Sequence, residues 1–207
     1  MPENLHKLFV ISSPSGGGKT SLINKLFEDS RSANFEKSIS DTSRQKRQGD
    51  LEGKDYYFLS EKDFKDKIKK EEYVEYATVF GNFYGTSKEE IKTKYNNSNL
   101  ILELDWQGAY AVKELFDDAK LIFLVPPSLD DLKQRLIKRN LDSSKEIESR
   151  LSEAKKEISK SEMYDYLVLN DDFHKAFEDL SQILFEGISP IDFNSRASTD
   201  LIKRLVE

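Results

Sequence analysis

The sequence predicts an α/β fold, a parallel sheet flanked by helices, and three observations predict it. Four short apolar runs, at residues 8–11, 100–104, 121–125 and 167–169, show little polar alternation, as expected of strands buried on both faces of a parallel sheet. Helical patterns separate or follow these runs, which places helices on both faces. A glycine-rich turn joins the first run to the first helix.

That turn comes first in the chain. After Leu8-Phe9-Val10-Ile11 the sequence reads Ser13, Pro14, Ser15, Gly16, Gly17, Gly18, Lys19, Thr20, Ser21, and then continues as a helix with Leu22, Ile23 and Leu26. Strand, glycine turn ending in Lys-Thr, and helix are the layout of a phosphate-binding P-loop. Three glycines let the backbone curl so that several N–H groups face one anion. The helix behind adds its positive N-terminal end. Lys19 supplies a mobile charge for β- and γ-phosphates, and the Thr20 hydroxyl can ligate Mg²⁺. Position 13 departs from the usual pattern, with Ser in place of Gly. A flexible Gly/Ser linker ending in Lys-Thr would need neither a buried strand before it nor an amphipathic helix after it.

Residues 36–92 break the strand–helix rhythm. They hold Tyr56-Tyr57-Phe58, a charged helix with Phe64 and Ile68, a strand-like stretch over 73–80, and Gly81-Asn82, a hairpin-turn signal. The pattern predicts an inserted mixed lobe. The run at 100–104 carries Glu103 and is followed by Asp105; two apart on an extended strand, these carboxylates point to the same side, at the strand end where ligands collect in open α/β sheets. Ala109, Val112 and Leu115 or Phe116 mark the next helix. After the run at 121–125, Pro126-Pro127 and a Ser128-x-x-Asp131 cap open a helix with Leu129, Leu132 and Leu136. A Ser143-x-x-Glu146 capping box opens another with Ile147, Leu151, Ala154 and Ile158. Arg135 and Arg139, spaced i, i+4, share a helical face, and Arg150 lies beyond the turn. The last helix follows the run at 167–169, with Phe173, Ala176, Phe177, Leu180 and Leu184. The tail from Ser189 is polar until Leu201, Leu205 and Val206, which leaves two outcomes, a mobile tail or a packed short helix.

Composition narrows the function classes. With 207 residues, 37% apolar and 34% charged, the chain is long enough for one domain of ordinary size, or a core with an inserted lobe. It has no Cys, so neither disulfides nor thiolate metal sites arise. His6 and His174 are far apart and form no ligand cluster. A net charge of −6 argues against nucleic acid as the main partner. No apolar run approaches a membrane span and residues 1–7 hold no long apolar segment, so the expectation is a cytoplasmic protein without a signal peptide.

The acceptor side of the chemistry comes from the middle of the chain. Ser40, Arg44 and Arg47 lie close together, with Tyr56 and Tyr84 further on. Arginine forks match phosphate oxygens, although two arginines alone also fit a solvated basic loop. The run Ser40-Asp41-Thr42-Ser43-Arg44-Gln45-Lys46-Arg47, with Gly49, Gly53-Lys54-Asp55-Tyr56 and Phe58, resembles guanylate kinase. So do Glu75-Tyr76-Ala77, Gly81-Asn82-Phe83-Tyr84-Gly85-Thr86, Glu103-Leu104-Asp105-Trp106-Gln107-Gly108, Pro126-Pro127-Ser128 and Asn170-Asp171-Asp172. Their order and spacing match the family from about Leu8 to Glu186, and Asp-Trp-Gln-Gly is its bacterial version.

The resemblance implies a P-loop NTPase-type core from residues 1–35, 93–127 and 163–188, a GMP-binding lobe at 36–92, a helical lid at 128–162, and a tail at 189–207. It implies transfer of a phosphoryl group from ATP to GMP or dGMP, with Mg²⁺. Ser40, Arg44, Arg47, Tyr56 and Tyr84 would hold the GMP phosphate, while Glu75 and Thr86, helped by Asp105, would read the base, and Gly85 would belong to the same GMP site. Guanine presents N1–H and a 2-amino group, and one carboxylate accepts from both; adenine offers an acceptor at N1 instead. The P-loop residues and Asn170 would bind ATP, with Asn170 near the adenine. Thr20 and Glu103 would face the metal, although the family often has Asp at the position of Glu103. Arg135, Arg139 and Arg150 would close over the transferring phosphoryl group. Lys46 replaces a common Pro, and Asn140 replaces a common Gly at the lid hinge. Two other functions stay open on the residues alone: a guanylate-kinase-like binding module without catalysis, and a kinase for AMP or UMP. The oligomeric state stays open as well.

Overall fold

The computed structural model describes residues 6–47, 49–79, 81–138, 144–187 and 196–207. In chain order the elements begin with β1 (Leu8–Ser12), α1 (Lys19–Phe27), β2 (Phe35–Lys37), β3 (Asp41–Thr42), β4 (Tyr57–Phe58) and α2 (Glu61–Lys69). There follow β5 (Tyr73–Val79), β6 (Asn82–Ser87), α3 (Lys88–Tyr95), β7 (Asn99–Glu103), α4 (Trp106–Leu115) and β8 (Lys120–Val125). The chain ends with α5 (Leu129–Lys138), α6 (Ser144–Ser159), β9 (Tyr166–Leu169), α7 (Phe173–Ser181) and α8 (Arg196–Val206).

Five strands form a sheet in the order β2-β7-β1-β8-β9, parallel throughout. The four apolar runs are four of its strands, and their lack of alternation has a direct cause. Leu8 and Val10 face one side with Leu100, Leu102, Leu121 and Phe123, where Ile91 of α3, Ala109 and Val112 of α4, and Ile158 of α6 cover them. Phe9 and Ile11 face the other side with Ile101, Ile122 and Leu124, under Leu22, Ile23 and Leu26 of α1 and Ala176 and Leu180 of α7. Both faces are buried, so both positions of the two-residue period must be apolar.

The fifth strand has no such signature. Phe35-Glu36-Lys37 pairs with β7 at the sheet edge, Lys37 opposite Ile101, and two of its three side chains are charged. An edge strand exposed on one side needs no apolar run. The core sheet therefore reaches Glu36 and Lys37, within the segment read as the inserted lobe.

A second sheet, in the order β4-β3-β6-β5, follows. β5 and β6 form the expected antiparallel hairpin, turning at Gly81 with a positive φ of 76° that glycine adopts without strain. This sheet has its own aromatic core. Phe64 of α2 is fully buried and stacks on Tyr73 at 4.6 Å and Phe83 at 5.4 Å between centroids. Beneath it, buried Asp41 accepts hydrogen bonds from the Tyr73 hydroxyl at 2.8 Å and from the Lys67 ammonium, so the buried carboxylate is paired rather than isolated. Ser128 caps its helix where the sequence marks it, accepting from the Asp131 N–H at 2.9 Å, and Ser60, which sequence reasoning did not mark, caps α2 by accepting from the Asp63 N–H at 3.1 Å. The expected Ser143 cap lies outside the described residues.

The tail takes the packed outcome over its last turns. Leu205 of α8 is 3% exposed and joins the cluster that holds Ile158, with Leu201 and Val206 partly buried against it. Among the described residues no helix is long and apolar enough to cross a membrane.

Phe123 is 1% exposed in the middle of β8 and touches Tyr164 at 5.0 Å. Phe123→Ala should lower unfolding free energy by about 3–5 kcal/mol, measured by urea denaturation. A loss below about 1 kcal/mol would contradict the tight two-sided packing of the sheet.

Candidate active site

Because the strands are parallel, their C-terminal ends meet along one edge, and the site begins there. β1 ends at Ser12, the chain curls through residues 13–18, and α1 starts at Lys19. Gly16 and Gly18 have φ of 88° and 91°, in the left-handed region that favours glycine. Space is as restrictive as angle: a Cβ on Gly17 would lie 2.8 Å from Ser13 Cβ, and one on Gly18 would lie 2.4 Å from Asn170 Nδ2. Ser13, the departure from the P-loop pattern, is 7% exposed and its hydroxyl bonds the Pro14 carbonyl at 3.1 Å, so the turn accommodates it. Gly18 gives α1 no side-chain cap and the first turn holds no acid, which suits an anion at the helix N-terminus.

Asn170 sits behind this loop. It is 4% exposed; its side-chain amide donates to the Gly17 carbonyl at 2.6 Å and its backbone N–H to the Val125 carbonyl at 2.8 Å. Its own carbonyl accepts from the Arg135 guanidinium at 2.8 Å. Both residues brace the loop from the side of β8 and α5.

Lys19 and Thr20 turn toward β7. Lys19 Nζ donates to the Leu104 carbonyl at 3.1 Å. Burial lowers the Lys19 pKa, while the carboxylates of Glu103, Glu157 and Asp105 work against that. The Thr20 hydroxyl donates to Glu103 Oε1 at 2.6 Å, and Lys37 Nζ pairs with Glu103 Oε2 at 2.7 Å. Burial alone would raise the Glu103 pKa; Lys19, Lys37 and these hydrogen bonds outweigh it and hold the carboxyl below its ordinary value. A hydroxyl and an ionised carboxylate are the hard oxygen donors that suit Mg²⁺, which keeps several waters and shares its shell with substrate phosphates. Among the described residues no group of three or more His, Cys, Asp or Glu could hold a metal by itself.

Facing the loop is the second sheet. Arg44, with only 10% of its side chain exposed, pairs with Asp50 at 2.8 Å and lies over the Tyr56 and Phe58 rings at 5.4 and 5.5 Å. The same Asp50 oxygen accepts the Arg47 N–H at 2.7 Å. Hydrogen bonds from Arg44 and Arg47 hold the Asp50 carboxyl below its ordinary pKa, so one ionised group shapes the arginine loop. Arg47 itself is exposed. Tyr56 meets the Tyr84 ring at 5.7 Å, and Ser40 Oγ lies 3.3 Å from Thr86 Oγ1. Gly85 leaves room for the aromatic core, since a Cβ there would come within 3.0 Å of Phe64 and Tyr73. A cavity of about 200 Å³ separates the two sides, lined by Lys19, Lys37, Ser38, Ser40, Asp55, Tyr56 and Glu103.

Glu75 lies opposite Thr86 in the hairpin. Burial pushes its carboxyl up to about 7, Asp105 adds to the rise, and hydrogen bonding to Thr86 opposes it. A Cβ on Gly108 would sit 3.1 Å from Glu75 Cγ, so a glycine in α4 admits Glu75 to its place. Asp105 is the N-cap of α4, accepting the Gly108 N–H at 2.9 Å. Its charge is felt by both Lys19 and Glu75.

From α6, Arg150 donates to Ser15 Oγ at 2.8 Å. Arg139 lies outside the described residues. Several residues that sequence reasoning missed complete the site. Glu157 is on the same helix; burial pushes its carboxyl up to about 7, while Lys19 and the Ser15 N–H oppose the rise. Arg150 and Glu157 thus reach the same P-loop residue across a cleft of about 480 Å³. Their seven-residue spacing, two turns on one helical face, was the available signal. Glu90 and Lys94 of α3 brace the chain before Ser40: the Ile39 N–H donates to Glu90 at 2.8 Å and Lys94 Nζ to the Lys37 carbonyl at 2.8 Å. Glu90 and Lys94, spaced i, i+4, pair at 2.6 Å on one helical face, while Lys37 and Asp50 stand in no spacing that betrays them.

Comparisons with known proteins agree on one family. The model for guanylate kinase matches residues 5–187. The guanylate kinase of Wolbachia sp. subsp. Brugia malayi (strain TRS) is 46% identical over 184 residues, covering 88% of this chain and 93% of that protein. That of Hahella chejuensis (strain KCTC 2396) is 47% identical over 178 residues, covering 86% and 85%. The crystal structure of guanylate kinase from Anaplasma phagocytophilum superposes with a TM-score of 0.69 at 34% identity, covering 90% of this chain and 88% of that one.

Glu157 gives a pH test. Its folded pKa of about 7 lies above the ordinary 4.5, so between these values the folded state keeps a proton that the unfolded state releases. Stability therefore falls as pH rises from about 4.5 to 7 and levels off above. Glu157→Gln removes this loss, so its melting temperature relative to the unchanged protein should rise by on the order of a few °C between pH 5 and pH 8. A difference independent of pH in thermal melts would refute the assignment.

Proposed function

The chain belongs to the guanylate kinase family, and from that premise we propose that it transfers the γ-phosphoryl group of ATP to GMP or dGMP, yielding ADP and the guanine nucleoside diphosphate, in guanine nucleotide synthesis and recycling. One observation carries this assignment: Lys19 of the P-loop bonds the Leu104 carbonyl at 3.1 Å, next to Asp105, while Asp105 accepts the N–H of Gly108, against which Glu75 of the hairpin packs, and the charge of Asp105 acts on both. A phosphate-binding cation and a buried carboxyl suited to guanine thus both reach the short segment from Leu104 to Gly108.

The P-loop backbone and Lys19 hold the triphosphate. Arg44, Arg47, Tyr56, Tyr84 and Ser40 hold the acceptor phosphate, and Glu75 with Thr86 reads the base through the guanine N1–H and 2-amino donors. Thr20 and Glu103 would hold the Mg²⁺ that accompanies ATP and neutralises charge on its β- and γ-phosphates. The acceptor oxygen is already ionised, so no strong general base is needed; positioning and charge neutralisation carry the rate. Arg135, Arg139 and Arg150 belong to a lid whose closure excludes water that would otherwise hydrolyse ATP.

The decisive assay is ADP formation from ATP with GMP, dGMP, AMP, UMP or no acceptor; absence of GMP-dependent turnover would overturn this function. Lys19→Ala should lower kcat by roughly 10²–10³ with unchanged circular dichroism, and near-normal turnover would rule out its role. Glu75 must be ionised to accept both guanine donors, and its ligand-free pKa is about 7, so KM for GMP should rise as pH falls below that value. Glu75→Gln should weaken GMP far more than ATP and flatten this pH dependence. Equal effects on both KM values would refute base reading by Glu75.

A further inference from the structure

We propose that Lys37 is a catalytic residue of this site, a second lysine whose ammonium bonds the phosphate of the acceptor nucleotide as the phosphoryl group arrives. The proposal rests on the kinase function above. It starts from the edge strand β2, whose two charged residues have no part in the core. Lys37 extends from this edge to Glu103, 2.7 Å from Oε2, while the other Glu103 oxygen takes the Thr20 hydroxyl at 2.6 Å. Its ammonium is thereby placed on the floor of the roughly 200 Å³ cavity that Lys19 enters from the P-loop and Ser40 and Tyr56 enter from the acceptor side.

The backbone behind it is held. The Lys37 carbonyl accepts from Lys94 Nζ at 2.8 Å, and two residues on the Ile39 N–H donates to Glu90 at 2.8 Å. The segment that carries Lys37 and Ser40 is therefore fixed at the cavity rim. Lys37 keeps 35% of its side chain exposed, and an ammonium has three donors, of which the Glu103 pair uses one. Lys19 lies on the donor side of the cavity, bonded to the Leu104 carbonyl and aimed at the triphosphate. The acceptor phosphate approaches as a second anion, and a cation placed between the two lowers that repulsion where the negative charge must be stabilised. Glu103 holds the ammonium in place until phosphate oxygens compete for it.

The test is calorimetric titration of GMP and of guanosine into the full chain without ATP or Mg²⁺, followed by kcat. Lys37→Met should weaken GMP about tenfold, or about 1.4 kcal/mol, with guanosine affinity within about twofold, and lower kcat by roughly 10-fold or more. Lys37→Arg should restore most of the GMP affinity. In a Glu103→Gln background, Lys37→Met should still weaken GMP by a similar factor. Disappearance of the loss there would mean that Lys37 acts only by neutralising Glu103, and would overturn the proposal. So would unchanged GMP binding by Lys37→Met, or equal losses for GMP and guanosine. A chain with no GMP affinity before substitution would overturn the kinase function and this proposal together; GMP binding that ignores Lys37 would overturn this proposal alone.

Discussion

The site depends on one constraint: β1 must be buried on both faces and end where a backbone can close around an anion. Leu8 to Ser12 are all buried, and parallel pairing on each side fixes their register, with Ile11 opposite Glu103 on one side and Ile122 on the other. A parallel sheet brings every strand's C-terminal end to the same edge. Glu103, the Leu104 carbonyl and Asp105 therefore arrive beside Lys19, and the Val125 carbonyl arrives beside Asn170. The second sheet has to come to that edge, and Gly108 of α4 helps it do so, since a Cβ there would crowd Glu75 at 3.1 Å.

Carboxylates in this cleft take opposite electrostatic fates, and the neighbours decide which. Glu103, Glu75 and Glu157 all suffer desolvation. Glu103 has Lys19 and Lys37 beside it and stays firmly ionised. For Glu75 and Glu157 burial dominates and Asp105 adds to it; Lys19 opposes the rise of Glu157 without offsetting it, and both carboxyls rise to about 7. The same residue type thus supplies a permanent anion beside Thr20 and two groups that change charge with ligand or pH. On the acceptor side Asp50 plays the first role toward Arg44 and the Arg47 backbone, holding a loop that would otherwise splay under its own positive charge.

Helix α6 adds a reciprocal arrangement. Arg150 and Glu157 both address Ser15, one through the hydroxyl and one through the backbone N–H. A cation and an acid on one helical face give the P-loop a polar neighbour without leaving a large net charge against it. The C-terminal helix α8 shares a hydrophobic cluster with Ile158, one residue beyond Glu157, so the end of the chain packs beneath the same helix.

By itself the sequence determined whatever local chemistry demands: four apolar runs, because burial on both faces leaves no polar alternative; the glycine loop, because only glycine takes φ near 90° there; the Ser128 cap; and the hairpin at Gly81. The P-loop was legible for the same reason, in its residue types and spacing; the arginines, tyrosines and Glu75 around it were legible only through the family resemblance, since two arginines alone also fit a solvated basic loop. Tertiary structure alone decided the rest. Phe35–Lys37 is a strand only because β7 offers it an edge; Lys37, Asp50, Glu90 and Glu157 belong to the site only because distant elements bring them within hydrogen-bonding or Coulombic reach; Asn170 is tied to the P-loop only because β9, paired with β8, delivers it to Gly17. Such long-range pairings depend on register and packing between segments remote in sequence, and no local pattern of residues encodes them.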